Sequence, residues 1–346
     1  MEIRVEKIRN KGFTLIELLV VLAIGSIVLL GAFSFFERQQ AVFNQQSEQA
    51  EKQANLRVAM YFLARDIALA GYTGTGYGLE EAILGAEKMG VTIPARPLIP
   101  IIGNSEMNSL TNSAGEPLDA IEIWGNFTPN GEVTTLASNA NAGAATLVVN
   151  KVDGLFINQV WDEESHSNIN VYPTGVVVGS YGLISFGLGD YVDIASVNSG
   201  SKTINLNGTL LNNYYAGADE VAPVLRRAYF VQEICEGARC ERWLIRRDYY
   251  VGKTVDQRLA QGVEDFQIFY DVQDPTTQAI GLDLSAEQLS GLLGAFDPCI
   301  VTAVTIRLQA RVITKDMPKP LVTTLNRKIK IMNSNIRPGL DYCPLP

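Results

Sequence analysis

Lys11-Gly12-Phe13-Thr14-Leu15-Ile16-Glu17 opens an apolar run that continues to Phe36 and holds a single charge, Glu17. As an α-helix, the stretch from Phe13 to Phe36 would extend about 36 Å, which exceeds the ~30 Å hydrocarbon core of a bilayer. A carboxylate inside such a segment costs roughly 2.5–3.5 kcal/mol on insertion scales. We therefore expect a membrane-spanning helix in which Glu17 has a partner or a function.

The residues before this run are basic, with Arg4, Lys7, Arg9 and Lys11 against two glutamates. An ordinary secretory signal has a shorter apolar centre followed by a small-residue cleavage site, and no such site follows here. A plain membrane anchor fits the length, and the basic flank would keep the first residues cytoplasmic. It gives no reason, however, for Gly12 at the junction or for Glu17.

The segment from Lys11 to Leu19 closely resembles the type III signal of type IV pilins and type II secretion pseudopilins. In that family a membrane-embedded peptidase cuts after the glycine and methylates the new N-terminal phenylalanine. The resemblance implies that residues 1–12 are a cleaved leader, that cleavage falls between Gly12 and Phe13, and that Phe13 is N-methylated. It also implies that Glu17, at the fifth mature position, is the assembly carboxylate.

Electrostatics supports that role for Glu17. A free amine on Phe13 would stand at the positive end of the helix dipole. In stacked subunits the amine approaches Glu17 of its own chain or of a neighbour, and each charge neutralises the other in an apolar core where either alone is penalised. We therefore expect loss of Glu17 to hamper filament incorporation without unfolding the rest of the chain.

The helix is predicted to continue past the apolar run. From Glu37 onward the chain contains Gln, Glu, Ala, Lys and Asn with little Gly or Pro, a composition that favours helix. The apolar residues of this segment follow a four-three spacing that defines one face: Leu56, Met60, Leu63, Ile67 and Ala70. Gly71 is placed as a C-terminal glycine. We predict one helix from about Thr14 to Ala70, apolar over 13–36 and amphipathic over 37–71, whose stripe needs a sheet to cover it.

The rest of the chain, 72–346, is predicted to be a β-rich globular head. The segment from about residue 125 to about residue 218 is rich in Asn, Gly, Ser and Thr, and this composition indicates an inserted β subdomain. Strand patterns occur at Ala120–Trp124, Ala145–Asn150, Gly175–Val178, Tyr191–Val197, Thr203–Leu206, Val221–Glu233, Arg242–Tyr249, Val263–Val272, Val301–Val312 and Leu321–Met332. The fold class expected is α+β, the type IV pilin fold, with a long N-terminal helix packed on an antiparallel sheet.

Several segments carry a narrower resemblance, to PilW-like minor pilins. Ala64–Tyr72 is similar to the helix end of these proteins. Three later parts are similar to their strands in the same order: Leu225–Val231 paired with Trp243–Asp248, then Leu259–Tyr270, then Val304–Leu308 with the final basic strand. The pseudopilin GspJ has the same order of elements and remains the second choice. The middle insertion carries hardly any resemblance.

Charge disfavours a general nucleic-acid binder. The leader carries four basic and two acidic side chains, so its removal would take the net charge from −9 to −11, whereas nucleic-acid-binding domains are usually basic. Three basic clusters lie on predicted strands: Arg226-Arg227, Arg246-Arg247 and Arg327-Lys328-Lys330. We interpret them as outward residues of half-exposed strands; a local DNA-contact patch is the alternative.

The four cysteines, Cys235, Cys240, Cys299 and Cys343, indicate disulfides in an exported chain, since no Cys-x-x-Cys pair suggests zinc. A bridge from Cys235 to Cys240 would close a predicted hairpin and leave Cys299 to pair with Cys343. Four cysteines allow three pairings, and the sequence does not choose among them.

Catalytic and metal signals are weak. The single histidine, His166, lies in a polar loop, and no nucleophile or acid is placed beside it. Asp271, Asp274 and Asp283 do not have the spacing of a calcium loop, and turn chemistry explains them. We predict neither an enzyme nor a metal or cofactor site.

The sequence-based hypothesis is a minor pilin that initiates or caps a type IV pilus. A minor pseudopilin of type II secretion is the runner-up, and a pilus-borne adhesin acting through the insertion is the third possibility. The partners implied are the prepilin peptidase, other minor pilins and the major pilin, the inner-membrane assembly platform, and lipid before assembly, with no nucleic acid. The implied location is the bacterial inner membrane with a periplasmic head, and then the pilus surface.

Overall fold

The computed structural model describes residues 15–72, 98–101, 107, 109–128, 131–162, 166–180, 189–237, 239–273, 280–285, 288, 301–312 and 321–331. The chain divides into two compact units, Met1–Glu51 and Lys52–Pro346. The named elements of the described residues are α1 (Leu15–Ala68), β1 (Leu98–Ile101), β2 (Ala120–Gly125), β3 (Thr134–Thr135), β4 (Thr146–Val148), β5 (Asn158–Asp162), β6 (Ser167–Val171), β7 (Gly175–Ser180), β8 (Gly189–Asn198), β9 (Thr203–Leu206), β10 (Asp219–Glu236), β11 (Arg239–Tyr250), β12 (Lys253–Gln261), β13 (Val263–Gln273), β14 (Ile280–Ser285), β15 (Val301–Val312) and β16 (Leu321–Lys330).

The long N-terminal helix forms as predicted. α1 covers 54 residues, and its end is tightened by the bond that the Ala70 N–H donates to the Ile67 carbonyl at 3.1 Å. Gly71 then adopts φ 73°, the left-handed conformation that glycine takes without a Cβ penalty. The Gly71 N–H donates to the Trp124 carbonyl at 2.9 Å, so the end of the helix is fastened directly to β2.

The strands form antiparallel sheets, and the predicted α+β class is confirmed. β10 is the central strand of the largest sheet. Its first part, residues 219–224, pairs with β7, while residues 225–229 pair with β2 and residues 226–236 pair with β11. One long strand therefore joins the sheet beneath the helix to the sheet of the middle region.

The main hydrophobic core lies between the C-terminal part of α1 and the sheets. The predicted stripe is confirmed, because all five of its residues are buried and belong to this cluster. They pack on β2, β10 and β11, and also on the four-stranded sheet ordered β14-β13-β15-β16. Packing on these sheets removes the apolar stripe from water, and this burial stabilises the amphipathic end of the helix.

A second hydrophobic cluster is built almost wholly from the middle of the chain. Its buried members run from Leu136 to Val221 and include Phe156, Ile204 and Tyr214. β5 and β6 form a separate two-stranded hairpin, paired with no other described strand. The region predicted as an insertion thus has its own core.

Each predicted strand segment contains an observed strand, but six observed strands lie outside the predicted segments: β1, β3, β5, β6, β12 and β14. The longest of these is β12, and in its sequence, Lys253-Thr-Val-Asp-Gln-Arg-Leu-Ala-Gln261, only Ala260 is buried. Among the described strands β12 pairs with β11 alone. An edge strand with two largely solvated faces lacks the apolar alternation that identifies a strand in sequence.

Candidate assembly site

The first part of α1 presents apolar side chains on every side. None of the residues from Leu15 to Phe36 is buried in the structure, and their large side chains are more than half exposed. α1 is the helix among the described residues that is long and apolar enough to cross a membrane. A helix that is apolar all round requires an apolar environment from outside its own chain.

The polar side chains of this part are few and mostly satisfied by the helix itself. The Ser26 hydroxyl donates to the Ala23 carbonyl at 2.8 Å, and the Ser34 hydroxyl donates to the Gly31 carbonyl at 3.0 Å. Such bonds remove the penalty of placing hydroxyls where there is no water. Glu17, in the first turn, is the one ionisable side chain between Leu15 and Phe36.

The predicted processing site itself, Gly12 and Phe13, lies outside the described residues, together with the leader of residues 1–12. The structure therefore places Glu17 on α1 but not the amine expected at Phe13.

At its other end, α1 is anchored in the head by a buried charge network that the sequence did not reveal. Asp66 accepts a hydrogen bond from Arg227 Nη1 at 2.7 Å and another from the Tyr229 hydroxyl. Arg227 also donates to both oxygens of Asp248, at 2.5 and 3.1 Å. Arg246 adds a bond to Asp248 at 3.2 Å. The two carboxylates and the two guanidiniums give the network no net charge.

Secondary structure positions every member of the network. Asp66 occupies the buried face of α1 between Leu63 and Ile67, while Arg227 lies directly opposite Asp248 in the β10–β11 register. The guanidinium of Arg227 also stacks on Phe127, 4.3 Å from the ring centre. An acid within an apolar helical stripe was the one sequence signal of this network.

The buried network perturbs the pKa values of its members. Burial on its own lowers the pKa of Arg227, but the charges of Asp66 and Asp248 more than offset it, so the pKa lies above its ordinary value. Burial, aided by the Asp66 charge, raises the pKa of Tyr229 well above its ordinary value. Arg227 therefore stays charged and Tyr229 stays neutral at physiological pH.

This finding corrects the interpretation of two basic clusters. Arg227 is buried and Arg246 nearly so, with side chains 9% and 13% exposed, so the prediction that they point outward is wrong. Their chain neighbours Arg226 and Arg247 are more exposed and pair with Glu122 at 2.6 Å and Asp256 at 2.7 Å. Burial became possible because opposite charges meet these arginines across the register and from the helix.

The third cluster, Arg327-Lys328-Lys330, is exposed as predicted. Lys328 forms an ion pair with Asp271. Asp271 is buried and also accepts a bond from the Asp283 N–H at 3.1 Å. Asp274 lies outside the described residues. Within the ranges that the structure describes, no three His, Cys, Asp or Glu side chains are grouped to hold a metal.

The remaining site residues are placed in part. Cys235 and Cys240 form a disulfide at the tip of the β10–β11 hairpin, where they are directly paired. Cys299 and Cys343 lie outside the described residues. His166 is exposed at the end of the β5–β6 turn, with φ 51°.

Comparison with known proteins identifies the N-terminal segment. Residues 7–33 match the family of the prokaryotic N-terminal methylation motif. This match covers the Gly12–Phe13 junction, Glu17 and most of the apolar run, and it supports a pilin- or pseudopilin-like protein processed at its N-terminus. No curated protein and no solved structure matches the chain.

Proposed function

We propose that this chain is a minor pilin, which is cleaved between Gly12 and Phe13, methylated on Phe13, and built into a type IV pilus at its initiating or capping position. Before assembly, the helix would hold the protein in the inner membrane with the head in the periplasm. The N-terminal methylation motif supports the coarser part of this proposal, a pilin-like subunit.

The observation that carries the proposal is the contrast between the two parts of α1. Residues 56–70 bury one stripe against the sheets of the same chain. No residue between Leu15 and Phe36 is buried. Such a segment can be satisfied first by lipid and then by the apolar helices of neighbouring subunits.

Glu17 supplies the preference for the second environment. In lipid a carboxylate is penalised, by roughly 2.5–3.5 kcal/mol at the centre of a spanning helix on insertion scales. In a filament, pairing with an N-terminal amine offsets that penalty. Because both charges sit at one end of the helix, pairing also fixes the axial register between subunits.

The size of the head favours a minor rather than a major subunit. Residues 72–346 include a second hydrophobic cluster beyond the one that covers the helix. A head of this size is hard to repeat along a slim fibre, whereas a single copy at the end meets no such crowding. The peptidase, other pilins and the membrane platform are the partners this role requires.

The test compares two glutamates of the same helix, Glu17→Ala and Glu37→Ala, in the native host. Glu37 is the first charge after the apolar run and is exposed, so it controls for loss of a carboxylate as such. We expect Glu17→Ala to lower the amount of the protein in sheared filaments by about tenfold, the equivalent of one charge pair worth ~1.4 kcal/mol, and Glu37→Ala to leave it unchanged.

Mass spectrometry of the mature protein gives a second readout, with N-methylated Phe13 as the expected terminus. An intact Met1, or equal incorporation of the two variants, would contradict the proposal. If deletion leaves filaments normal but traps exported enzymes in the periplasm, the chain is a pseudopilin of type II secretion instead.

A further inference from the structure

The β5–β6 hairpin presents an unusual set of side chains on its solvent face. Exposed residues alternate with half-buried or buried ones over residues 158–161 of β5 and residues 168–171 of β6. The exposed side carries one aromatic and three amide side chains, in the cross-strand pairs Gln159–Asn170 and Trp161–Asn168. None of the four is charged.

Trp161 is the large aromatic residue of this face, and 58% of it is exposed. Burial of a side chain as large as tryptophan normally stabilises a protein, so the exposed indole leaves apolar area available for a contact. Both faces of a flat indole can receive the apolar C–H face of a ring-shaped ligand.

A cavity of about 300 Å³ adjoins the same face. It is lined by Asp153, Ile157, Gln159, Asn170 and Ser199. Gln159 and Asn170 belong to the pair next to Trp161, two residues along each strand and so ~7 Å away. The Ser199 hydroxyl donates to Asp153 at 2.9 Å, which holds that carboxylate at the cavity wall.

The chemistry of this set selects a class of ligand. Each amide offers an acceptor oxygen and two N–H donors, so a pair of amides can donate to and accept from neighbouring hydroxyl groups at once. The described residues that line the cavity include an acid and no Lys or Arg, which disfavours phosphates and other anions, since these require basic side chains. A ring with one apolar face and several hydroxyl groups satisfies the tryptophan and the amides together.

We propose that the face formed by Gln159, Trp161, Asn168 and Asn170, with the adjoining cavity, binds a neutral glycan. A hexose or N-acetylhexosamine ring stacks on Trp161, and its hydroxyl groups bond to the amides and to Asp153. The inference does not depend on filament assembly, because it concerns binding by the isolated protein.

The test uses the full-length protein in a detergent without a sugar headgroup, since maltoside or glucoside detergents would compete. The probe is an array of immobilised neutral oligosaccharides ending in hexose or N-acetylhexosamine, with sialylated glycans and single-stranded DNA on the same surface. The matched control for Trp161→Ala is Tyr215→Ala, because Tyr215 is also an exposed aromatic residue (61%) of the middle region.

We expect retention of at least one neutral glycan, a loss of affinity of about tenfold or more in Trp161→Ala, and no change in Tyr215→Ala, as one stacking residue at the centre of a small site predicts. Trp161→Phe, which keeps an aromatic face, should retain part of the affinity, and Asn170→Ala should weaken it. Circular dichroism of each variant verifies folding.

Retention of no neutral glycan, a preference for sialylated glycans or DNA, or equal effects of Trp161→Ala and Tyr215→Ala would each overturn the proposal. A protein that binds glycan but never enters filaments would retain this site and refute the pilin assignment. A protein that is found in filaments but binds no glycan on the array would support the pilin assignment and refute the glycan site.

Discussion

Replacing Asp66 by asparagine should cost the head several kilocalories of stability although the side chain keeps its shape. Asparagine can still accept the bond from the Tyr229 hydroxyl, but it brings no charge to Arg227. The two guanidiniums of Arg227 and Arg246 would then share the single carboxylate of Asp248, and the network would carry a net positive charge. Breaking one side of a buried ion pair costs about 3–5 kcal/mol, because the remaining charge is left uncompensated.

The control is Asp256→Asn, which removes the same group from another arginine. Asp256 pairs with both Arg247 Nε and Nη2 at 2.7 Å, but the two side chains are 39% and 23% exposed. Water replaces a partner there, so the expected cost is about 0–1 kcal/mol. The two variants differ in burial and hardly in chemistry.

The assay is urea unfolding of the full-length protein in detergent, followed by tryptophan fluorescence, to which the buried Trp124 contributes. The double variant Asp66→Asn with Arg227→Met completes the argument, since removing the cation as well should restore part of the loss. Equal midpoints for Asp66→Asn and Asp256→Asn would refute the view that the buried network anchors the helix, and so would strict additivity in the double variant.

Two further results are expected. Gly175→Ala should cost about 1–3 kcal/mol by overpacking, because its new Cβ would overlap the ring and hydroxyl oxygen of the buried Tyr191. Gly200→Ala is the control: its new Cβ would meet no atom closer than 3.5 Å, so it should be neutral in the same unfolding assay. Stability should also fall as the pH rises above the ordinary tyrosine pKa of 10.0, since burial raises the pKa of Tyr229 and Tyr270 in the folded state and the unfolded chain alone releases those protons. Unfolding that is insensitive to pH between 9 and 11 would contradict this account.

The sequence was sufficient where structure depends on local pattern. The helix boundaries, its buried stripe and the stop at Gly71 follow from periodicity and from glycine's access to positive φ. The strands that alternate clearly were also found. The roles assigned to Gly12, Phe13 and Glu17 rest on the sequence, because these residues lie close together in one short motif.

Tertiary structure decided what depends on residues far apart in the chain. From the sequence, Arg227 was predicted to point outward from its strand. In the structure the β10–β11 register places Asp248 opposite Arg227, and the packed helix supplies Asp66 from 161 positions away, so Arg227 is buried. The glycan face likewise exists only because β5 pairs with β6 in one register, which aligns Trp161 with the amides. Local patterns fix which way a segment folds, whereas the partners that make a buried charge tolerable or a surface selective are supplied by long-range pairing.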